Sequence, residues 1–150
     1  MLEHGGRLQQ AARRYGIAPA EWLDLSTGIN PNGWPVSSLP ATAWRRLPEN
    51  DDGLEAAACA YYGTDALLPV AGSQAAIQAL PSLRSACRVG VIDPGYAEHA
   101  HAWRRAGHAT QPVAVGQVDD AVAQVDVLVL THPNNPTGAR FTLQQLLDWH

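Results

Sequence analysis

Two helix-like stretches, the second with apolar positions at helical spacing, precede a regular alternation of elements along this chain. The first helix-like segment is Gly6–Tyr15, rich in Arg, Gln and Ala. Ser26-Thr-Gly-Ile-Asn-Pro-Asn-Gly-Trp-Pro35 is too dense in Gly, Pro and Asn for an element interior and reads as turns and extended chain. Leu54, Ala57, Ala58 and Tyr61 predict a second helix over Asp52–Tyr62, stopped by Gly63. From there strands and helices alternate: strand Leu67–Ala71, helix Ser73–Leu80 closed by Pro81, strand Arg88–Ile92, helix Tyr96–Arg105 ended by Gly107. Thr110–Val115 is a third candidate strand, and Asp126–Leu130 has the branched apolar content of a buried one. This order predicts an α/β fold with a mostly parallel sheet and helices on both faces. Thr142-Leu-Gln-Gln145 is a capping box opening a last helix, with Leu143, Leu146 and Leu147 as its apolar stripe. So few strands leave a sheet edge open, which predicts poor solubility and the front part of a longer protein.

Composition narrows the function classes. With 150 residues, 46% of them apolar, the chain can build one ordinary core. A net charge of -4 gives no basic field for nucleic acid or an anionic membrane. No stretch has the length of a membrane-spanning helix, and no signal-peptide core is present, so the expected location is cytoplasmic. Cys59 and Cys87 have no metal-ligand spacing and read as small buried residues; no metal is expected. The ten residues of the Lys+Arg count are all arginines.

Three unusual segments stand at expected strand ends, where open α/β sheets bind ligands. Ala71-Gly-Ser-Gln74 offers backbone N–H groups and a hydroxyl to an anion, or else a plain helix cap. Asp93-Pro-Gly-Tyr96 sets an aromatic ring at the mouth of the sheet, to stack on a flat heterocycle or simply to pack on loops. In Pro133-Asn-Asn-Pro-Thr-Gly138 two prolines and a glycine hold an asparagine amide rigidly, against the alternative of a turn with Asx caps.

With Glu3-His-Gly-Gly6, Trp22-Leu-Asp-Leu-Ser-Thr-Gly-Ile-Asn-Pro31, Val70-Ala-Gly-Ser-Gln-Ala-Ala-Ile77, Tyr96-Ala-Glu-His99 and Asn135-Pro-Thr-Gly138, the chain resembles the class I/II aminotransferase superfamily. The likeness is strongest to its cobalamin-pathway threonine-phosphate decarboxylases. The resemblance implies the front part of a fold-type-I large domain over residues 36–150, incomplete, behind an N-terminal arm at 1–35. It implies pyridoxal 5'-phosphate (PLP) as cofactor, with Ser73 and Gln74 on its phosphate, Tyr96 stacked on its ring and Asn135 bonded to the ring's 3-hydroxyl oxygen. His4, Gly5, Gly6, Ile29 and Asn30 would border a phosphorylated amino acid. The implied reaction converts L-threonine O-3-phosphate to (R)-1-aminopropan-2-ol phosphate in a homodimer.

Two departures from the pattern matter. Leu47-Pro-Glu49 stands where relatives often have Tyr-Pro-Asp, and leucine cannot donate that tyrosine's hydrogen bond to the neighbouring subunit's phosphate. The ring-pairing aspartate, the Schiff-base lysine and the carboxylate-binding arginine would lie beyond His150. No catalytic residue is therefore assigned within this chain, and the isolated chain is expected to be inactive. A histidinol-phosphate-type aminotransferase remains the alternative, as does a non-catalytic fragment.

Overall fold

Parallel pairing organises the second half of the molecule. The computed structural model describes residues 5–47, 49 and 51–150, and the chain divides into two units, 1–53 and 54–150. In the second unit β1 (Arg88–Ile92) lies between β2 (Ala109–Val113) and β3 (Val127–Val129), both parallel to it. Val89 pairs with Thr110 on one side and Val127 on the other. Pro112 sits on β2, which among the described residues has β1 on one side only; an edge strand tolerates a residue with no N–H.

Side chains alternate across β1, so each face builds its own core. Val89 and Val91 pack with Trp103 from α4 (Ala97–Arg105). Ile92 packs on the opposite face with Val113, Phe141 and two residues of α5 (Val118–Val122), Val118 and Ala121. Helices therefore cover both faces, as the alternating pattern predicts. Each fully buried Val, Ile or Phe side chain among them contributes roughly 1.5–3 kcal/mol. His108, 5% exposed, ties the chain entering β2 to that entering β1. Its Nδ1 accepts the Cys87 N–H at 3.2 Å, its Nε2 lies 2.8 Å from the Pro81 carbonyl, and its ring meets Trp103 edge-on at 4.6 Å.

Several elements differ from expectation. Leu67–Ala71 forms no strand: no neighbour pairs with it among the described residues, and Leu68 and Val70 are exposed. α5 lies in a stretch to which the sequence pattern assigned no element; it is short and valine-rich, but Asp119 and Asp120 favour its first turn and Val118 and Ala121 bury together. α2 (Leu54–Tyr62) forms as expected, yet Leu54 and Tyr61 of its stripe are exposed. Cys59 and Cys87 are half-buried thiols, not fully buried. α6 (Leu143–Asp148) carries both bonds of the capping box, the Gln145 N–H to Thr142 Oγ1 at 3.1 Å and the Thr142 N–H to Gln145 Oε1 at 2.9 Å. Beyond it Trp149 packs edge-on against Phe141 and donates to Asp119 Oδ1 at 2.7 Å.

The first unit contains α1 (Leu8–Tyr15) and short 3-10 turns at Pro19–Glu21 and Ala41–Trp44. α1 ends at Gly16, whose N–H reaches the Ala12 carbonyl at 2.9 Å. Ala12 is the one buried apolar residue of this unit among the described residues.

Candidate functional site

The loop before α3 (Ser73–Ala79) places Gly72 at the helix cap, and no side chain caps it. Ser73 is therefore not the plain cap its residue type would allow; it stands at the first helical position with no bond to its hydroxyl among the described residues. Gln74 points across to α4. Its Nε2 donates to Glu98 Oε2 at 3.2 Å, and its Oε1 accepts from the Tyr96 hydroxyl at 3.4 Å. One turn on, Gln78 donates to the same Glu98 oxygen at 3.2 Å and accepts from Arg105 at 2.7 Å. These bonds fasten the first candidate loop to the second.

Tyr96 follows the end of β1, is 46% exposed, and meets the His99 ring edge-on at 6.0 Å. Burial pulls the His99 imidazole below its ordinary pKa. A cleft of about 240 Å³ opens here, with Asp93, Gly95, Tyr96, Arg104 and Thr110 in its wall. It runs between α4 and the strands β1 and β2, lined also by Val91, Ala100, Gln111 and Pro112, and of the expected cofactor residues only Tyr96 is in its wall.

The third loop follows β3 and separates its two asparagines. Asn135 is exposed, with no side-chain bond among the described residues. Asn134 is 2% exposed and donates to the Pro94 carbonyl at 2.9 Å, which fastens the third loop to the second. Ser73, Tyr96 and Asn135 thus come from three loops that are bonded in series. The Ser73 hydroxyl and the Asn135 amide make no side-chain bond among the described residues and the Tyr96 ring is exposed, which is the kind of hydrogen-bonding and stacking chemistry that a phosphorylated pyridine requires.

In the first unit the structure joins the two segments expected to border substrate. The Gly6 N–H donates to Ser26 Oγ at 2.8 Å, and Ser26 in turn donates through its hydroxyl and N–H to Asp24 Oδ1, at 2.6 and 2.9 Å. Those two bonds hold the Asp24 carboxyl below the usual carboxylate range. A Cβ on Gly5 would stand 2.0 Å from the Ser26 carbonyl oxygen, so only glycine permits this approach. Ile29 is exposed, whereas Asn30 spends its amide on an Asx turn with Asn32. His4 lies outside the described residues, and Leu47 is exposed.

Sequence reasoning missed Asn134, Glu98 and Asp24. A spacing signal existed for the first, since Thr131 and Thr137 flank it at three residues on either side. For Glu98 the signal was weaker: Gln74 and Gln78 are four apart and share a helix face.

Comparison with known proteins settles the family. The aminotransferase class I and II model matches residues 39–149. The chain belongs to that family. Its members generally use PLP. Within the family the chain is 60% identical to a threonine-phosphate decarboxylase of Pseudomonas aeruginosa over all of its length, which is 45% of that protein. It is 42% identical to one from Sinorhizobium, covering 97% of this chain and again 45% of the relative. The chain thus spans less than half the length of these relatives. Among solved structures, L-threonine-O-3-phosphate decarboxylase from Porphyromonas gingivalis superposes with a TM-score of 0.61 at 26% identity, over 69% of this chain and 34% of that one. An aminotransferase from Helicobacter pylori shares the fold, with a TM-score of 0.57 at 16% identity over 99% of this chain and 39% of that one. No helix among the described residues is long and apolar enough to cross a membrane.

Proposed function

We propose that this chain carries the front part of the PLP site of a threonine-phosphate decarboxylase acting on L-threonine O-3-phosphate. The observation that carries the reading is the serial bonding of three loops: Tyr96 bonds Gln74, the neighbour of Ser73, and Asn134, the neighbour of Asn135, bonds Pro94. Similarity at 60% identity to a protein of that activity supports the choice of substrate.

Bound PLP supplies an electron sink for the pair released when the bond from Cα to the carboxylate breaks. This chain's residues bind and orient. Ser73 and Gln74 hold the phosphate through N–H groups and the Ser73 hydroxyl. Tyr96 covers a ring face and keeps water from it, while the Asn135 amide donates to the ring's 3-hydroxyl oxygen. Gly5, Gly6, Ile29 and Asn30, with His4, border the phosphorylated amino acid. Residues 1–35 serve as the arm and 36–150 as part of the large domain, in a homodimeric cytoplasmic enzyme that makes (R)-1-aminopropan-2-ol phosphate. The chain has no lysine to hold the cofactor covalently, so its share of the work is positioning.

The test is an assay of the polypeptide carrying this chain with L-threonine O-3-phosphate and PLP. Release of carbon dioxide and aminopropanol phosphate is expected. Transfer of the amino group of histidinol phosphate to 2-oxoglutarate, with no carbon dioxide released, would overturn the substrate assignment.

A further inference from the structure

Asn134 is among the largest fully buried side chains of the described residues, yet it is polar and lies between two exposed residues. Every polar group it has is used. Its Nδ2 donates to the Pro94 carbonyl at 2.9 Å and to Thr137 Oγ1 at 2.8 Å, while its Oδ1 accepts from the Thr131 hydroxyl. Its backbone N–H donates to the Ala139 carbonyl at 2.8 Å, and its carbonyl accepts from the Gly138 N–H at 2.6 Å. The loop it reaches is equally constrained: a Cβ on Gly95 would stand 2.8 Å from the Ile92 carbonyl and 3.7 Å from Asn134 Oδ1.

We propose that Asn134 is the positioning residue that sets the spacing between Tyr96 and Asn135. This rests on the reading that those two side chains grip one cofactor ring. The chemistry of the site selects asparagine. Two donors and one acceptor are needed at a single buried point, one donor for each of two different loops' acceptors. Aspartate keeps the acceptor and loses both donors; glutamine carries the amide one methylene too far. Burial makes the arrangement rigid, because breaking any of these bonds leaves a desolvated polar group without a partner. Asn135 then needs no packing of its own, since its backbone is carried by its neighbour.

The experiment uses the whole chain, labelled with 15N, as wild type, Asn134→Asp and Thr137→Val. Thr137 is exposed, so its variant remains informative if Asn134→Asp fails to fold. Without cofactor, Asn134→Asp is expected to shift the Gly95 and Tyr96 amides while those of Cys87 and His108 stay put, and Thr137→Val to shift them less. With PLP added, wild type is expected to respond at Ser73, Gln74, Tyr96 and Asn135 together. Asn134→Asp should keep the response at Ser73 and Gln74, lose it at Tyr96 and Asn135, and bind PLP about tenfold more weakly. A residue that only stabilised the fold would weaken all four responses equally, and that result overturns the proposal. So do unmoved Gly95 and Tyr96 amides in both folded variants. A wild type that ignores PLP while the cofactor-free shifts occur as stated sinks the cofactor reading and upholds the spacing role of Asn134.

Discussion

The two units of this chain are held by different physics. Residues 54–150 are organised by burial: β1 is sandwiched between two apolar clusters, and Val89 is 0% exposed. The described part of residues 1–53 buries Ala12 alone of its apolar side chains, and Trp34 and Val36 stand almost fully in solvent. What order it has comes from close glycine approaches and local polar bonds, such as those linking Gly6, Ser26 and Asp24. The difference teaches where substitutions will be felt globally and where only locally.

The largest effect should separate two tryptophans. Trp103→Ala removes the indole from the cluster of Val89 and Val91 and should cost about 3–5 kcal/mol. Trp34→Ala, at a position 89% exposed, should stay within about 0.5 kcal/mol. Urea denaturation of both variants reads the contrast; equal losses would mean that the exposed indole has a hidden partner.

A smaller and local effect is expected at Gly5. Gly5→Ala drives a methyl into the Ser26 carbonyl, so the Gly6 bond to Ser26 should break. The Gly6 and Ser26 amide resonances should move, while the midpoint reported by Trp103 stays unchanged. Unmoved resonances would show that the close approach is not what joins these segments.

The smallest effect is electrostatic. Arg88 bonds Asp126 through its side chain and its backbone N–H, which holds the Asp126 carboxyl below its ordinary pKa and raises that of Arg88. A depressed carboxyl pKa means that the unfolded state binds the proton more readily. The pair's contribution is therefore complete above the unfolded carboxylate pKa of about 3.9 and is lost as pH falls through the lower folded value. The pair is exposed, so the effect is small and screened by salt. Asp126→Asn should flatten the fall in melting temperature over that acid window; a profile as steep as wild type would assign the fall to other groups.

The sequence made visible what depends on neighbours along the chain. The Thr142–Gln145 box is local and formed as read; β1 and β3 were marked by branched apolar runs short enough to be strands. What it hid depends on distant partners. Leu67–Ala71 has strand composition, but a strand exists only through a ladder, and none forms beside it among the described residues. α5 has valines that argue against a helix and buries two residues that argue for one. At the candidate site the cofactor roles came from the family resemblance, and the bonds that fasten the three loops to one another were not legible. The flanking Thr131 and Thr137 mark Asn134 locally, but its bond to Pro94, forty residues away on another loop, leaves no trace in the sequence.

The most direct test of the central claim is equilibrium dialysis of the chain against PLP, with Ser73→Ala, Tyr96→Ala and Asn135→Ala beside wild type. The account predicts saturable binding, displaced by inorganic phosphate and absent for pyridoxal without its phosphate. Each substitution should weaken it by about five- to tenfold, the worth of one hydrogen bond or one stacked ring. PLP binding that is unaffected by all three substitutions, or no saturable binding at all, would contradict it.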